Sequence, residues 1–134
     1  MFGKDTHILV VDDSINIRQI IRDCLTRIGY SKIETAKDAS EGYEKLAAIS
    51  RTPTPINLIL SDLNMPGPNG IDFLKKVRED KKFQDLPFIL ITTESEKQSV
   101  IMAAMAGVSS YIVKPFNVDT LVKRLEEAWK KHNP

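Results

Sequence analysis

Leu58-Ile59-Leu60-Ser61-Asp62-Leu63-Asn64-Met65-Pro66-Gly67 is an apolar run that ends on a carboxylate and breaks at once into turn-forming residues. A run of this length bounded by Pro and Gly reads as a buried strand. A carboxylate at the mouth of a buried strand is costly unless it is paired, hydrated or bound to a metal. The same construction recurs along the chain. Ile8-Leu9-Val10-Val11 leads into Asp12-Asp13, Phe88-Ile89-Leu90-Ile91 into Thr92, and Tyr111-Ile112-Val113 into Lys114.

Between these runs the apolar residues fall at helical spacing. Ile17, Ile20, Ile21, Cys24 and Ile28 mark a first helix with Gly29 as its stop. A fifth strand candidate, Lys32-Ile33-Glu34-Thr35-Ala36, follows. Asp38 with Glu41 resembles a capping box before Ala39, Gly42, Tyr43 and Leu46. Asn69 is positioned to cap a helix burying Ile71, Leu74 and Val77. Val100, Ile101, Ala104 and Val108 mark the next helix, with Gly107 near its end. Asn117 is positioned to cap the last, where Val118, Leu121, Val122, Leu125 and Trp129 share a face. Ser50-Arg51-Thr52-Pro53-Thr54-Pro55 is a loop, because two prolines exclude regular structure. Strand and helix therefore alternate five times. That order predicts an α/β fold with a five-stranded parallel sheet and helices on both faces.

The 134 residues suit one domain with one core, spanning 1–134 with no output domain. Nineteen Lys and Arg against eighteen Asp and Glu leave a net charge of +1, which gives no global pull toward nucleic acid or membrane. No apolar run approaches the roughly 20 residues that span a bilayer. The single cysteine, Cys24, excludes an internal disulfide framework and reads as a core residue. A cytoplasmic location is the expectation.

All strand carboxyl ends of a parallel sheet lie on one edge, and ligands of open α/β sheets bind beyond that edge. Asp12, Asp13, Asp62, Thr92 and Lys114 thus converge. The second strand brings nothing comparable, as suits an outer strand. Three carboxylates share a crevice if a hard cation sits between them. Mg2+ prefers oxygen ligands and keeps several waters. Asp12, Asp13 and Asp62 have that chemistry, and the Asn64 backbone carbonyl is within reach of the same ion. Lys114 offers a compact positive charge and Thr92 a hydroxyl donor. A nucleophilic carboxylate, a metal and donors for equatorial oxygens are the inventory of phosphoryl transfer.

On Val11-Asp12-Asp13-Ser14, Ser61-Asp62-Leu63-Asn64-Met65-Pro66, Ile91-Thr92 and Tyr111-Ile112-Val113-Lys114-Pro115-Phe116, the chain resembles the receiver domain of two-component response regulators. It is most similar to the single-domain regulators of chemotaxis. The resemblance runs from about His7 to the C-terminus. It implies a flavodoxin-like fold with strand order 2-1-3-4-5. It also implies that Asp62 accepts a phosphoryl group from a histidine kinase, with Mg2+ held by Asp12, Asp13, Asp62 and the Asn64 carbonyl. Lys114 then contacts the phosphoryl group, Thr92 hydrogen-bonds to it, and Tyr111 moves toward the space Thr92 leaves. The Lys114–Pro115 bond is cis in the family. Asn64 and Glu94 occupy the two positions that tune phosphoryl lifetime, and this pair implies fast self-dephosphorylation. Thr93 stands where the family usually has Ala or Gly, and Leu63 where well-known chemotaxis members carry an aromatic residue.

The implied function is a phosphorylation-controlled interaction protein, not an enzyme with a separate substrate. Its output face is formed by the fourth helix, fifth strand and fifth helix. Its implied partners are a histidine kinase, the flagellar motor switch or another phospho-dependent target, and a phosphatase. The alternative within this class is a phosphate sink, or a relay to a histidine phosphotransferase. A Mg2+-dependent phosphatase is more remote, because such enzymes place an Asp-x-Asp nucleophile after the first strand and carry a cap. A flavin carrier needs a phosphate cradle where Asp12 and Asp13 stand.

Overall fold

The structure is a computed structural model that describes residues 1–93 and 97–134. Five parallel strands, β1 (His7–Val11), β2 (Lys32–Ala36), β3 (Leu58–Asp62), β4 (Phe88–Thr92) and β5 (Ser110–Val113), alternate with five helices. These are α1 (Ile15–Ile28), α2 (Ala39–Ile49), α3 (Gly70–Glu79), α4 (Lys97–Met105) and α5 (Val118–His132). The strand order is β2-β1-β3-β4-β5, with β2 on an edge. The α/β class, five-stranded sheet and strand order agree with the expectation from the sequence.

Successive residues of a strand face opposite sides, and that alternation divides the core into two layers. Leu9, Val11, Ile59, Phe88 and Leu90 face α2 and α3, where Leu46, Ile71, Phe73, Leu74 and Val77 are buried. Ile8, Val10, Leu58, Leu60, Ile89 and Ile91 face α1 and α5, against Ile21, Leu25, Leu121 and Leu125. The continuous apolar runs of β1, β3 and β4 are buried along their whole length, as a doubly covered parallel sheet demands.

Local signals set the helix starts. Ser14, Asp38, Asn69 and Asn117 each accept a backbone N–H from the first turn that follows. Asn69 and Asp72 complete a reciprocal capping box. The Asp38–Glu41 pair makes only half of one, because the Glu41 carboxylate instead accepts the Lys37 N–H at 3.3 Å. Gly29 ends α1 at φ 120, a conformation that favours glycine.

Two stripes differ from the expectation. Ile20 on α1 is 53% exposed, and Leu25 fills the core instead. On α4, Val100 and Ile101 are exposed while Ala103 is buried, and Val108 lies beyond the helix end. Nearly every residue of α4 between Val100 and Met105 is apolar, so periodicity cannot select its inward face.

The edge of the sheet opposite the strand carboxyl ends is closed by side chains. His132, the last residue of α5, is hydrogen-bonded through Nε2 to the Ser109 hydroxyl at 2.7 Å, while Ser109 Oγ accepts the Phe88 N–H at 2.9 Å. Arg78 donates to the carbonyls of Leu86 and Gly107. Burial, then the Arg78 guanidinium and Lys131, lowers the His132 pKa from its ordinary 6.5, and Asp85 opposes this. A lowered folded value means that the unfolded chain binds the proton more readily. The associated stability is present above pH 6.5 and is lost as pH falls through the folded value. Urea titrations from pH 7 to 5 are expected to show a steeper loss for the unchanged protein than for His132→Gln. Equal slopes would contradict this role for His132.

Candidate functional site at the carboxyl edge of the sheet

Asp12, Asp62, Thr92 and Lys114 end or immediately follow β1, β3, β4 and β5, so the parallel register delivers them to one edge. Asp62 is paired with Ile91, and Thr92 with Val113, which sets Lys114 just beyond Thr92. The Lys114 N–H donates to the Thr92 carbonyl at 2.7 Å. Asp12, Asp62 and Thr92 are buried, whereas Asp13 is exposed.

Oxygens of Asp12, Asp13 and Asp62 lie within 4.8 Å of one another. The Lys114 ammonium donates to Asp12 Oδ2 at 3.0 Å and lies 3.5 Å from Asp62 Oδ1. Among the described residues, three carboxylates thus face the Lys114 ammonium and the nearby Arg18 guanidinium, which leaves an excess of negative charge in a partly desolvated cleft. Burial raises the Asp62 pKa above its ordinary 3.8, and the Asp12 charge adds to the rise. Lys114 and the Asn64 N–H, which donates to the Asp62 carboxylate, pull the other way without cancelling it. An all-oxygen donor set, with one member open to solvent and uncompensated negative charge, fits a hard divalent cation that retains several waters.

The surroundings hold these groups in place. Asp12 Oδ1 accepts the Ser14 N–H at 2.9 Å, and the Asp12 carbonyl accepts from Arg18 Nη1 at 2.7 Å. The Ser61 hydroxyl donates to the Asp62 carbonyl at 3.0 Å. The Lys114–Pro115 peptide bond is cis. Asn64 is exposed at the rim. Glu94, the second expected tuning position, lies outside the described residues. Tyr111 is half-buried in β5. It lines a groove of about 640 Å3 between α4 and α5, with Val100 and Ala104 beside it and Arg124, Glu127, Lys130 and Lys131 around it.

Gly70, Arg18 and the groove lined by Ile17, Ile20 and Phe116 were given no part in the site from the sequence. Gly70 packs against the Asp62 backbone so closely that an added Cβ would collide with the Asp62 carbonyl, Leu90 and Leu63. Its only sequence signal is its place after the Asn69 cap. Arg18 drew no reading from the sequence. Ile17, Ile20 and Phe116 line an apolar groove of about 350 Å3 that opens beside Lys114 and Thr93. The excess of isoleucine on α1 was its signal.

Residues 8–126 match the family described as response regulator receiver domain. The chain is 46% identical over 119 residues to chemotaxis protein CheY1 of Helicobacter pylori strain 26695, covering 89% of this chain and 93% of that protein. It is 42% identical over 120 residues to a chemotaxis protein CheY homolog of Campylobacter jejuni, covering 90% and 89%. Among solved structures it is similar to the chemotaxis protein CheY4 of Vibrio cholerae, with a TM-score of 0.79 at 36% identity, covering 92% of this chain and 98% of that one.

Proposed function

The chain belongs to the response regulator receiver domain family, and from that premise we propose that it is a phosphorylation-controlled chemotaxis regulator with Asp62 as its phosphoryl acceptor. The observation that carries this reading is the convergence of three carboxylates with the Lys114 ammonium at the carboxyl edge of the sheet. Residues 8–126 form the receiver unit.

A carboxylate oxygen of Asp62 attacks the phosphorus of a phosphohistidine on the kinase. The new P–O bond forms as the P–N bond breaks, and its electron pair leaves with the imidazole nitrogen. The product is an acyl phosphate on Asp62. Asp12, Asp13, Asp62 and the Asn64 carbonyl would hold Mg2+, which would supply charge neutralisation for the phosphoryl oxygens. The Lys114 ammonium, already between Asp12 and Asp62, moves its hydrogen bonds to a phosphoryl oxygen. The Thr92 hydroxyl donates to another. Asn64 and Glu94 tune the water that later hydrolyses the acyl phosphate.

The apolar groove of Ile17, Ile20 and Phe116 flanks the acceptor and suits the docking of a phosphoryl-bearing partner. The α4–β5 side holds the output. Once the Thr92 hydroxyl is drawn to the phosphoryl group, Tyr111 follows and reshapes the groove between α4 and α5. Its apolar lining, with Arg124, Glu127, Lys130 and Lys131 as a mixed charged rim, suits an amphipathic segment. The flagellar motor switch is the proposed target.

Beryllium fluoride with Mg2+ mimics the phosphorylated state. Motor-switch protein is expected to be retained on immobilised protein only when both are present. Retention of kinase or phosphotransferase components alone would replace this reading with a sink or relay.

A further inference from the structure

We infer that Arg18 is a positioning residue for Mg2+ binding, acting through the peptide unit that joins Asp12 to Asp13. The inference rests on the metal site proposed above.

The chain leaves β1 at Asp12 and enters α1 through the Ser14 cap, so two metal-binding carboxylates hang from consecutive residues of one tight turn. Their relative direction depends on the plane of the peptide between them. The oxygen of that peptide is the Asp12 carbonyl, and Arg18 Nη1 donates to it at 2.7 Å. Two further bonds close the ring. Asp12 Oδ1 accepts the Ser14 N–H at 2.9 Å, and the Ser14 carbonyl accepts the Arg18 N–H at 3.0 Å. The Asp12 N–H is tied to the Ala36 carbonyl of β2 at 3.1 Å. Asp12 is thus fixed through its N–H, its carbonyl and both carboxylate oxygens, with Lys114 on Oδ2. A carbonyl of a residue only 1% exposed requires a donor, and the Arg18 side chain supplies it from one turn into α1.

Charge and geometry make opposite demands here. A guanidinium beside the acidic trio repels an incoming divalent cation. If charge were its whole effect, its removal would tighten Mg2+ binding. If it orients the Asp12–Asp13 peptide, its removal weakens binding despite the lost repulsion. Groups that orient metal ligands through hydrogen bonds change affinity by about ten-fold or more when removed.

Mg2+ affinity is measured by isothermal titration calorimetry at fixed ionic strength for the unchanged protein, Arg18→Met and Arg18→Lys, each shown to be folded by thermal melting. Arg18→Met keeps the apolar stem and loses both charge and donor. It is expected to bind Mg2+ about ten-fold more weakly. Arg18→Lys keeps a charged donor of similar reach and is expected to recover most of that loss. In the metal-free proteins, the Asp13 amide resonance should shift in Arg18→Met and return toward its position in Arg18→Lys. Unchanged or tighter Mg2+ binding by a folded Arg18→Met overturns the inference while leaving the metal site intact. Absence of Mg2+ binding by the unchanged protein overturns the site and the inference together.

Discussion

Gly70→Ala is expected to destabilise the protein by about 3 kcal/mol, near the upper end for overpacking a close-packed interior, and to weaken Mg2+ binding as well. Gly70 opens α3 directly after the Asn69 cap, and its N–H donates to the Leu63 carbonyl at 2.8 Å. A methyl group there would strike the Asp62 carbonyl oxygen. It would also come within 2.8 Å of Leu90 Cδ2 and 2.9 Å of Leu63 Cα. Two of these neighbours are backbone, so relief requires moving the end of β3, and Asp62 moves with it. Gly67 is the internal comparison. Its φ of 75 favours glycine, but an added Cβ meets nothing within 4 Å. Gly67→Ala is therefore expected to cost about 1 kcal/mol, from backbone strain alone. Urea denaturation of both variants checks the pair, and equal losses would show that close packing at Gly70 is not what sets its cost.

Asp62→Asn is expected to raise stability at neutral pH by about 1 kcal/mol, the usual range for relieving a functional site, while abolishing phosphoryl acceptance. Burial and the Asp12 charge hold the Asp62 pKa above its ordinary 3.8. The folded protein therefore binds this proton more readily than the unfolded chain does. Stability linked to Asp62 is fully present below pH 3.8 and is lost as pH rises through the folded value. Asparagine keeps the shape without the charge, so its advantage should grow as pH rises from 4 to 7. Mg2+ reverses the ranking, because a cation that binds only the folded state adds stability. It should stabilise the unchanged protein more than Asp62→Asn. Chemical denaturation with and without Mg2+ reads both effects, and a less stable Asp62→Asn in metal-free buffer would contradict the origin assigned to the raised pKa.

How far the sequence carries depends on the kind of information each feature needs. The strands were legible because a doubly covered parallel sheet demands unbroken apolar runs, as at Leu58–Leu60 and Phe88–Ile91. The convergence of Asp12, Asp62 and Lys114 was legible because parallel topology sends every strand's carboxyl end to one edge. The inward face of α4 was not, since Val100, Ile101, Met102, Ala103 and Ala104 offer no polar contrast, and small Ala103 packs closest. Ile20 misled for a related reason, because an apolar residue on the helix turned out to line a surface groove beside the site. Arg18 and Gly70 act through backbone atoms of Asp12 and Asp62. Such contacts depend on where a turn places a carbonyl, which residue type and spacing do not encode. The first residues were also underread: Phe2 is buried and its carbonyl accepts the Tyr30 hydroxyl at 2.9 Å, while Lys4 donates to the Ile28 carbonyl at the end of α1.

Acceptance of a phosphoryl group by Asp62 is the central claim, and intact-mass spectrometry tests it most directly. The unchanged protein, incubated with acetyl phosphate and Mg2+, should gain the mass of one phosphoryl group, and the gain should vanish when Mg2+ is chelated beforehand. Asp62→Asn should gain none under the same conditions. Equal labelling of Asp62→Asn, or labelling indifferent to Mg2+, would contradict the assignment of Asp62 and its acidic neighbours.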